Sequence, residues 1–337
     1  MCKNLSFVFV ISIILFSFAS LCFAQSDSVI AIIPVGSNPT ALVYNSTDNK
    51  IYCAIKGRDS VTIIDGEGDS TIATVGVGDT PYALAYNPTN NKIYCANQYS
   101  DNVTIIDGAG DSVIATKGVG AYPKALAYNS ENNQIYCANE GSDYVSVIDG
   151  NNNLAQPPVE LLYFAWEYFF QTALGYNPTD NKIYCGTSHW NFGTRVAGAV
   201  QIINPATDSV VAAVLVNHYA EALAYNPTNN KIYCANSYGV VNVVTIIDGA
   251  GDSALATVEV GDVPGALAYN DTNNKIYCAN RVSDNVTIID GEGDSVMATV
   301  GVGDFPMALA YNPTNNRIYC AIRQVTTSPS LMEQGIR

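Results

Sequence analysis

The chain repeats one phrase seven times, and this repetition constrains its fold more than any other feature. Every copy contains an Ala-Leu pair, then Tyr-Asn, a polar turn and the letters Ile-Tyr-Cys. Successive copies start 42 to 49 residues apart. A period of about 40 to 50 residues is typical of β-propellers, in which each repeat forms one four-stranded blade. The copies begin at Ala41, Ala83, Ala125, Ala173, Ala222, Ala266 and Ala308.

The second copy shows how one repeat divides into four predicted strands. They are Ala83–Asn87, Lys92–Asn97, Asn102–Asp107 and Asp111–Gly120, separated by turns rich in Asn, Pro and Gly. Such turn residues tolerate positive φ, and the strands are rich in β-branched residues. The last two strands lack the polar alternation of a sheet with one wet face, which predicts burial on both faces. The small Ala-Leu-Ala of the first strand suits the narrow centre of a propeller.

Closure of the ring requires additional strands for the last copy, which matches the repeat only in its first two strands. The segment Asp27–Gly36 matches a fourth strand, so we expect it to pair as the outer strand of the last blade and remove an open edge. The third strand of that blade is expected from Gln324–Leu331, which matches the repeat poorly. The sequence therefore predicts an all-β, seven-bladed propeller of four-stranded antiparallel blades in a single domain, residues 25–337. An open fragment of a longer array is the alternative.

The repeated unit also resembles a known family. It reads Tyr-Asn-Pro-Thr-Asn-Asn-Lys-Ile-Tyr-Cys-Ala-Asn, followed by Val-Thr-Ile-Ile-Asp-Gly. This unit is similar to that of the YVTN-repeat β-propellers of surface-layer and exported bacterial and archaeal proteins. The match covers about Asp27 to Ile322, although the family's Tyr-Val-Thr-Asn core reads Tyr-Cys-Ala-Asn here. The resemblance implies a propeller and no single activity, because related propellers bind ligands or hydrolyse lactones.

The N-terminus predicts export. Lys3 precedes an apolar run from Leu5 to Phe23, and small residues stand before Gln25, which is the pattern of a cleaved signal peptide over residues 1–24. We expect a periplasmic, cell-surface or extracellular protein that is monomeric and does not insert into the membrane after cleavage. An uncleaved membrane anchor is the alternative. The chain carries 15 basic and 30 acidic residues, a balance that argues against a nucleic-acid partner.

The cysteines recur at one position of every copy. Equivalent positions in packed blades lie about 10 Å apart, whereas a disulfide needs Cα atoms within about 7 Å, so we predict free, buried thiols. Separate blades also cannot bring such ligands together around zinc, and we predict no metal and no cofactor. Four Asp-Gly-x-Gly-Asp turns suggest calcium as an alternative to simple hairpins. The seven cysteines are Cys53, Cys95, Cys137, Cys185, Cys234, Cys278 and Cys320.

Departures from the repeat indicate where a ligand would bind. They fall in Asn151–Thr172, Gly186–Gly198 and Asn217–Glu221, all predicted to lie on one face of the disc around the fourth blade. Both tryptophans and both histidines of the chain are there, and aromatic platforms with polar rims suit a glycan or a peptide. The alternative is that the apolar segment 161–170 plugs the axial channel or covers the disc. The candidate ligand-binding residues are Trp166, Glu167, Tyr168, Phe169, His189, Trp190, Phe192, Arg195, His218 and Tyr219.

The sequence contains few candidate catalytic residues. Two histidines and no Gly-x-Ser-x-Gly leave no recognisable nucleophile and base pair, so we predict a non-catalytic binding or scaffolding module. Two alternatives stay open. One is a structural surface-layer unit without a soluble ligand. The other is a lactonase-like hydrolase that uses His189 or His218 with Glu167.

Overall fold

The computed structural model consists of β-strands arranged in seven four-stranded sheets. It describes residues 6–10, 28–162, 169–191, 194–237 and 241–323. Within these ranges the helical content is one 3-10 turn, Lys56–Arg58, and no helix is long and apolar enough to cross a membrane. The all-β prediction is therefore confirmed.

The strands follow the repeat. The first fourteen are β1 (Ser6–Val10), β2 (Val29–Ile33), β3 (Pro39–Asn45), β4 (Lys50–Ile55), β5 (Ser60–Asp65), β6 (Thr71–Gly76), β7 (Pro81–Asn87), β8 (Lys92–Asn97), β9 (Asn102–Asp107), β10 (Ser112–Gly118), β11 (Pro123–Asn129), β12 (Gln134–Asn139), β13 (Tyr144–Asp149) and β14 (Ala155–Glu160). The others are β15 (Phe169–Asn177), β16 (Lys182–Asn191), β17 (Thr194–Asn204), β18 (Ser209–Val216), β19 (Tyr219–Asn226), β20 (Lys231–Ser237), β21 (Val243–Asp248), β22 (Ser253–Glu259), β23 (Pro264–Asn270), β24 (Lys275–Asn280), β25 (Asn285–Asp290), β26 (Val296–Gly301), β27 (Pro306–Asn312) and β28 (Arg317–Ile322).

Six of the described sheets are antiparallel blades built from four consecutive strands. Blades one to six are β3–β6, β7–β10, β11–β14, β15–β18, β19–β22 and β23–β26. In each of them the first strand pairs with the second, the second with the third and the third with the fourth, as in Leu84↔Cys95 and Cys95↔Thr104 of blade two. The first strands of neighbouring blades pack against each other around a common axis, and β27 packs against β3. A propeller of four-stranded antiparallel blades is thus confirmed.

The seventh sheet differs from the other six. Its order is β2-β1-β28-β27, so the predicted N-terminal strand does form the outer strand of this sheet. The third position is occupied by β1, parallel to both neighbours, and not by Gln324–Leu331 as the sequence analysis expected. Residues 324–337 lie outside the described residues. The Ser-Phe-Val-Phe-Val sequence of β1 is aromatic and β-branched, and 18 residues separate it from β2, enough for a parallel connection. Cleavage before Gln25 stays a prediction.

Turn chemistry fixes where the strands reverse. The last asparagine of the turn between the first and second strands has positive φ, for example 53° at Asn91 and 53° at Asn133. The last aspartate of the Asp-Gly-x-Gly-Asp turn does the same, with 49° at Asp111. Asn and Asp tolerate this left-handed conformation better than other residues with a Cβ. The repetition of Asn-Asn and Gly-Asp therefore reflects a backbone requirement.

The core lies between the blades. Around blades one and two, Tyr52 and Ile63 pack against Ile93 and Cys95, and all four are fully buried. Burial on both faces is confirmed for the second and third strands. The prediction of burial on both faces is wrong for the fourth strand. Blades diverge with distance from the axis, so the outermost strand is no longer covered by the adjacent blades. Ile114 of β10 is 48% exposed, and Leu215 of β18 is 71% exposed.

All seven repeated cysteines are buried and free, as predicted. Burial raises the pKa of each thiol, to about 12 for Cys234. The Sγ atom of Cys95 lies 3.5 Å from Oδ1 of Asn97, two residues further along the strand. Cysteine thus fills a small, dry space between blades where a thiolate would be poorly solvated.

Buried asparagines join each blade to the next. Asn87 Nδ2 donates to Asn133 Oδ1 of the following blade at 2.7 Å, and its own Oδ1 accepts a hydrogen bond from Thr89 N. The same bond connects β27 to blade one, where Asn312 Nδ2 lies 3.0 Å from Asn49 Oδ1. The other members of this ring are Asn45–Asn91, Asn129–Asn181, Asn177–Asn230, Asn226–Asn274 and Asn270–Asn316.

Candidate ligand-binding site

All three departures from the repeat reach one face of the disc. The start of each first strand and the end of each second strand lie at this face, as the pairing of Pro123 with Asn139 shows. We call it the insert face; in blades two and three it includes residues 98–101 and 119–122. The opposite face carries the repeated asparagine turns. As the sequence predicted, the connections around blade four open on the insert face.

The two longer departures form strands. In copy three, the departure includes β14 (Ala155–Glu160), which is the fourth strand of its blade although its sequence differs from the repeat. In copy four, β16 and β17 extend to 10 and 11 residues, joined through residues 192–193. This long hairpin projects from the insert face of blade four. Phe169 begins β15, which places the end of the apolar segment in a strand.

The hairpin brings four of the predicted site residues together by register. Phe169 pairs with His189, and Trp190 pairs with Arg195 on the neighbouring strand. His218 and Tyr219 stand at the entry to β19, one blade further on. Trp166, Glu167, Tyr168 and Phe192 lie outside the described residues. Of the proposed aromatic residues on blade four, the structure thus places the backbone of Phe169 on β15 and of Trp190 on β16.

His218 is held tightly at this entry. Its φ is 51°, and its carbonyl oxygen would lie 1.6 Å from a Cβ atom added to Gly198. Only glycine at position 198 allows β17 to approach this backbone so closely. The Nδ1 atom of His218 is buried and has no hydrogen-bond partner among the described residues. This ring nitrogen of His218 is therefore enclosed by the protein without a described partner.

A second set of residues, which the sequence analysis did not select, surrounds the axis on the same face. The residue before each repeated Ala-Leu pair varies between copies, although the pair itself does not change. All seven line one cavity of about 190 Å³ at the mouth of the axial channel, with the Ala-Leu pairs beneath them. We call these residues the mouth ring. They are Thr40, Tyr82, Lys124, Thr172, Glu221, Gly265 and Met307.

Lys124 forms the centre of one polar cluster at the mouth. Its Nζ donates to Glu140 Oε1 at 3.0 Å and lies 5.8 Å from the centre of the Tyr82 ring. Gln98 Nε2 donates to the other oxygen of Glu140 at 3.2 Å. Burial alone would lower the pKa of Lys124, but Tyr82, Glu140 and Glu221 raise it above its ordinary value. The ammonium group is therefore charged at neutral pH.

Arg281 forms the second cluster. Its Nη1 lies 3.4 Å from Glu221 Oε2, and its Nη2 donates to the carbonyl of Gly265 at 3.2 Å. A Cβ atom on Gly265 would lie 2.1 Å from Arg281 Nε, so the absence of a side chain in the mouth ring of blade six lets the guanidinium fold over the channel. Arg281 Nε is buried without a hydrogen-bond partner in the described part of the chain.

The two clusters make an arc of alternating charge, in the order Glu140, Lys124, Glu221 and Arg281. It runs from blade three to blade six and passes the small Thr172 of blade four. The Thr172 hydroxyl is turned to the backbone, donating to Ala220 O at 2.6 Å. At Thr172 the arc passes blade four, whose β16 and β17 form the long hairpin.

Two exposed tyrosines flank the mouth on blades two and three. Tyr99 and Tyr122 are 62% and 48% exposed, with ring centroids 6.1 Å apart and planes at 83°. Tyr99 follows Gln98, and Tyr122 precedes Lys124 by two residues. Lys56 Nζ lies 5.7 Å from the centre of the Tyr99 ring. The signal that marks Tyr99 and Tyr122 in the sequence is that both positions vary between copies.

Comparison with known proteins supports the propeller fold and indicates no activity. No family model and no curated protein matches the chain. Among solved structures 1468 chains match, so the architecture is widespread. One, titled Kuenenia stuttgartiensis Hydrazine Synthase, matches with a TM-score of 0.72 and 18% identity over 92% of this chain and 100% of that chain. At this identity the likeness shows the fold alone. The YVTN-repeat resemblance stays a prediction, and the chain is a β-propeller.

Proposed function

We propose that the protein is a non-catalytic binding module that is exported and acts at the cell surface or in the periplasm. Its ligand is a glycan or a peptide, bound on the insert face between blades three and six. One observation carries this proposal. The variable residues that precede the seven repeated Ala-Leu pairs line a single cavity, on the face that also carries the long hairpin of blade four.

Repetition separates the two roles of the residues. A side chain that recurs in every blade answers a need that every blade shares, such as the buried Tyr94 or Cys95. The mouth ring has no such shared need, since Thr, Tyr, Lys, Glu, Gly and Met all occur in it. A rigid scaffold with varied residues at one end is the usual construction of a ligand site. A single closed ring of seven blades, which we also propose, is supported by the Asn312–Asn49 bond.

A structural surface-layer unit is the second candidate, and the outer strands favour it. Several apolar side chains on these strands are exposed, among them Ile114, Leu215, Leu255 and Met297. Exposed apolar surface and open strand edges favour association between copies. Analytical ultracentrifugation over a range of concentrations separates the two candidates. A monomer at all concentrations favours the binding module, and ordered assembly favours the surface layer.

A lactonase-like hydrolase has less support. Of the three residues it would use, Glu167 lies outside the described residues and His189 is placed only by its backbone. The Nδ1 atom of His218 is buried, and no carboxylate of the described residues accepts a hydrogen bond from it. Turnover of simple lactones by the purified protein, abolished in His218→Ala, would favour the hydrolase over the binding module.

The proposed function is tested by screening the purified protein against printed arrays of glycans and of peptides, with detection through a terminal affinity tag. We expect saturable binding to a restricted set of spots. The variant Glu131→Gln, on the opposite face, serves as the control and should retain that binding. Absence of saturable binding to either array would contradict the proposal.

A further inference from the structure

The mouth ring restricts the size of what can enter the axial channel. Sites for drug-sized ligands usually exceed about 300 Å³. The cavity here is about 190 Å³, and alanine and leucine pairs of the first strands line it together with the mouth ring. It therefore admits one small ring or the end of a longer chain, and the remainder of such a chain must lie on the insert face.

The charges at the mouth restrict the chemistry of that unit. Lys124 is already paired with Glu140, and Arg281 with Glu221, so the arc has no net charge. An anion would have to compete with a carboxylate for its cation, and a cation would have to compete with an ammonium or guanidinium group. A hydroxyl group both donates and accepts, so it can bind to the two members of a pair without separating them. Hydrogen bonds to ionised partners are also stronger than neutral ones.

Unused hydrogen-bonding capacity is present in both pairs. A lysine ammonium has three donors, a carboxylate accepts at about four positions, and Arg281 Nε has no partner among the described residues. Neighbouring donors and acceptors of this kind match neighbouring hydroxyls of a sugar ring. Tyr99 and Tyr122 offer exposed aromatic surface beside the mouth, against which the apolar side of a further ring can pack.

From these observations we infer that the axial mouth is the subsite for one neutral, hydroxyl-rich sugar unit at the end of a glycan. Lys124, Glu140, Glu221 and Arg281 bind its hydroxyl groups, and Tyr99 with Tyr122 contacts the next unit. This inference rests on the proposed function and deepens it, because it selects a glycan over a peptide and locates the end of that glycan.

The test uses saturation-transfer NMR on the purified protein with three separate mixtures. They contain neutral mono- and trisaccharides, uronic acids, and short peptides. We expect transfer to the neutral sugars. The affinity of the trisaccharide that responds most strongly is then measured by calorimetry in Glu221→Gln and Lys124→Met. Loss of a hydrogen bond to an ionised group predicts at least about a tenfold loss in each variant.

Two substitutions away from the mouth serve as matched controls. Glu131→Gln lies on the opposite face of blade three, and Lys117→Met lies on the outer strand of blade two. Both should bind the trisaccharide within about twofold of the parent, as expected for surface changes outside the site. Circular dichroism spectra that match the parent show that the mouth variants remain folded.

The outcomes separate the inference from the proposed function. Neutral sugar binding that survives in both mouth variants would place the site elsewhere, which overturns the inference and leaves the proposed function standing. Transfer only to peptides or uronic acids would also overturn it, because the ligand class would be wrong. Absence of binding to all three mixtures would contradict the inference and the proposed function together.

Discussion

Lys50 of blade one reaches Asp111 of blade two, with 2.8 Å between Nζ and Oδ2, and the Tyr52 hydroxyl donates to the other oxygen at 2.6 Å. Asp111 ends an Asp-Gly-x-Gly-Asp turn. The last aspartate of this turn therefore joins neighbouring blades, a role different from the calcium binding that the sequence suggested as an alternative. Equivalent contacts join Lys182 and Tyr184 to Asp252, Lys231 and Tyr233 to Asp294, and Arg317 and Tyr319 to Asp69.

Substitution of Asp111 tests this contact. Asp111→Ala removes the carboxylate that accepts from the Tyr52 hydroxyl and from Lys50 Nζ, and leaves both donors only the Gly108 carbonyl, so we expect the free energy of unfolding to fall by about 1 to 3 kcal/mol. Chemical denaturation with urea measures the change. Glu67→Ala, at an exposed position in the equivalent turn of blade one, should stay within about 0.5 kcal/mol of the parent. Equal effects of the two substitutions would show that the contact contributes nothing specific.

The buried thiols predict instability at high pH. Their folded-state pKa values are raised above 9.0 by burial, so the folded protein keeps protons that the unfolded chain releases. This stabilising contribution is complete below about pH 9 and is lost as pH rises towards 12, at up to about 1.4 kcal/mol per thiol and pH unit. Buried tyrosines such as Tyr94, with pKa raised to about 12 by burial, act in the same direction.

Two measurements check this expectation. Urea midpoints at pH 7.5 and pH 10 should show a large loss of stability, and a Cys95→Ala, Cys137→Ala double variant should lose less of it. A thiol reagent at pH 8 should label the seven repeated cysteines only after unfolding. Rapid labelling of more than two of the nine cysteines in the folded protein would contradict their burial.

The asparagine ring predicts that the seventh sheet is joined to blade one as firmly as neighbouring blades are joined to each other. Asn312→Ala and Asn87→Ala remove equivalent buried hydrogen bonds, so each should cost about 1 to 3 kcal/mol. Thermal or urea unfolding of both variants gives the comparison. A negligible cost for Asn312→Ala beside a clear cost for Asn87→Ala would mean that the ring is open between these blades.

Gly265 at the mouth and Gly291 in a turn of the scaffold should differ in how well they tolerate alanine. A Cβ atom on Gly265 meets the flexible Arg281 side chain, whereas a Cβ atom on Gly291 lies 2.5 Å from the backbone oxygen of Asn274. Gly265→Ala should therefore move Arg281 away from Glu221 at a cost below about 1 kcal/mol, and Gly291→Ala should cost more than about 2 kcal/mol. Unfolding measurements on both variants check this order, and the opposite order would contradict these packing contacts.

Much of the architecture could be predicted because the repeat records it seven times. The four strands, their turns, the buried cysteines and the outer position of β2 all follow from residues that recur. The exposure of the fourth strand could not, since Val113 and Ile114 look like core residues in the sequence. Their exposure depends on the radial divergence of the blades, which no local pattern contains.

The candidate site was only partly predictable. Departures from the repeat in length and in residue type indicate blade four, and the hairpin that pairs Trp190 with Arg195 is there. The arc at the mouth was missed because Lys124, Glu140 and Arg281 look like ordinary polar residues at strand ends. Only the ring topology shows that they meet. The third strand of the seventh sheet also escaped prediction, since β1 belongs to the stretch read as a signal peptide.

The central claim, that the insert face binds a ligand, is most directly tested by intrinsic fluorescence. Both tryptophans of the chain, Trp166 and Trp190, lie in the inserts around blade four. We would titrate the purified protein with neutral oligosaccharides and with cell-wall polysaccharide fragments, and repeat the titration in Trp190→Phe. The account predicts a saturable change in emission that is reduced in this variant. An emission spectrum that no oligosaccharide or fragment alters, from tryptophans already shielded from a soluble quencher, would contradict it and identify the inserts as a plug.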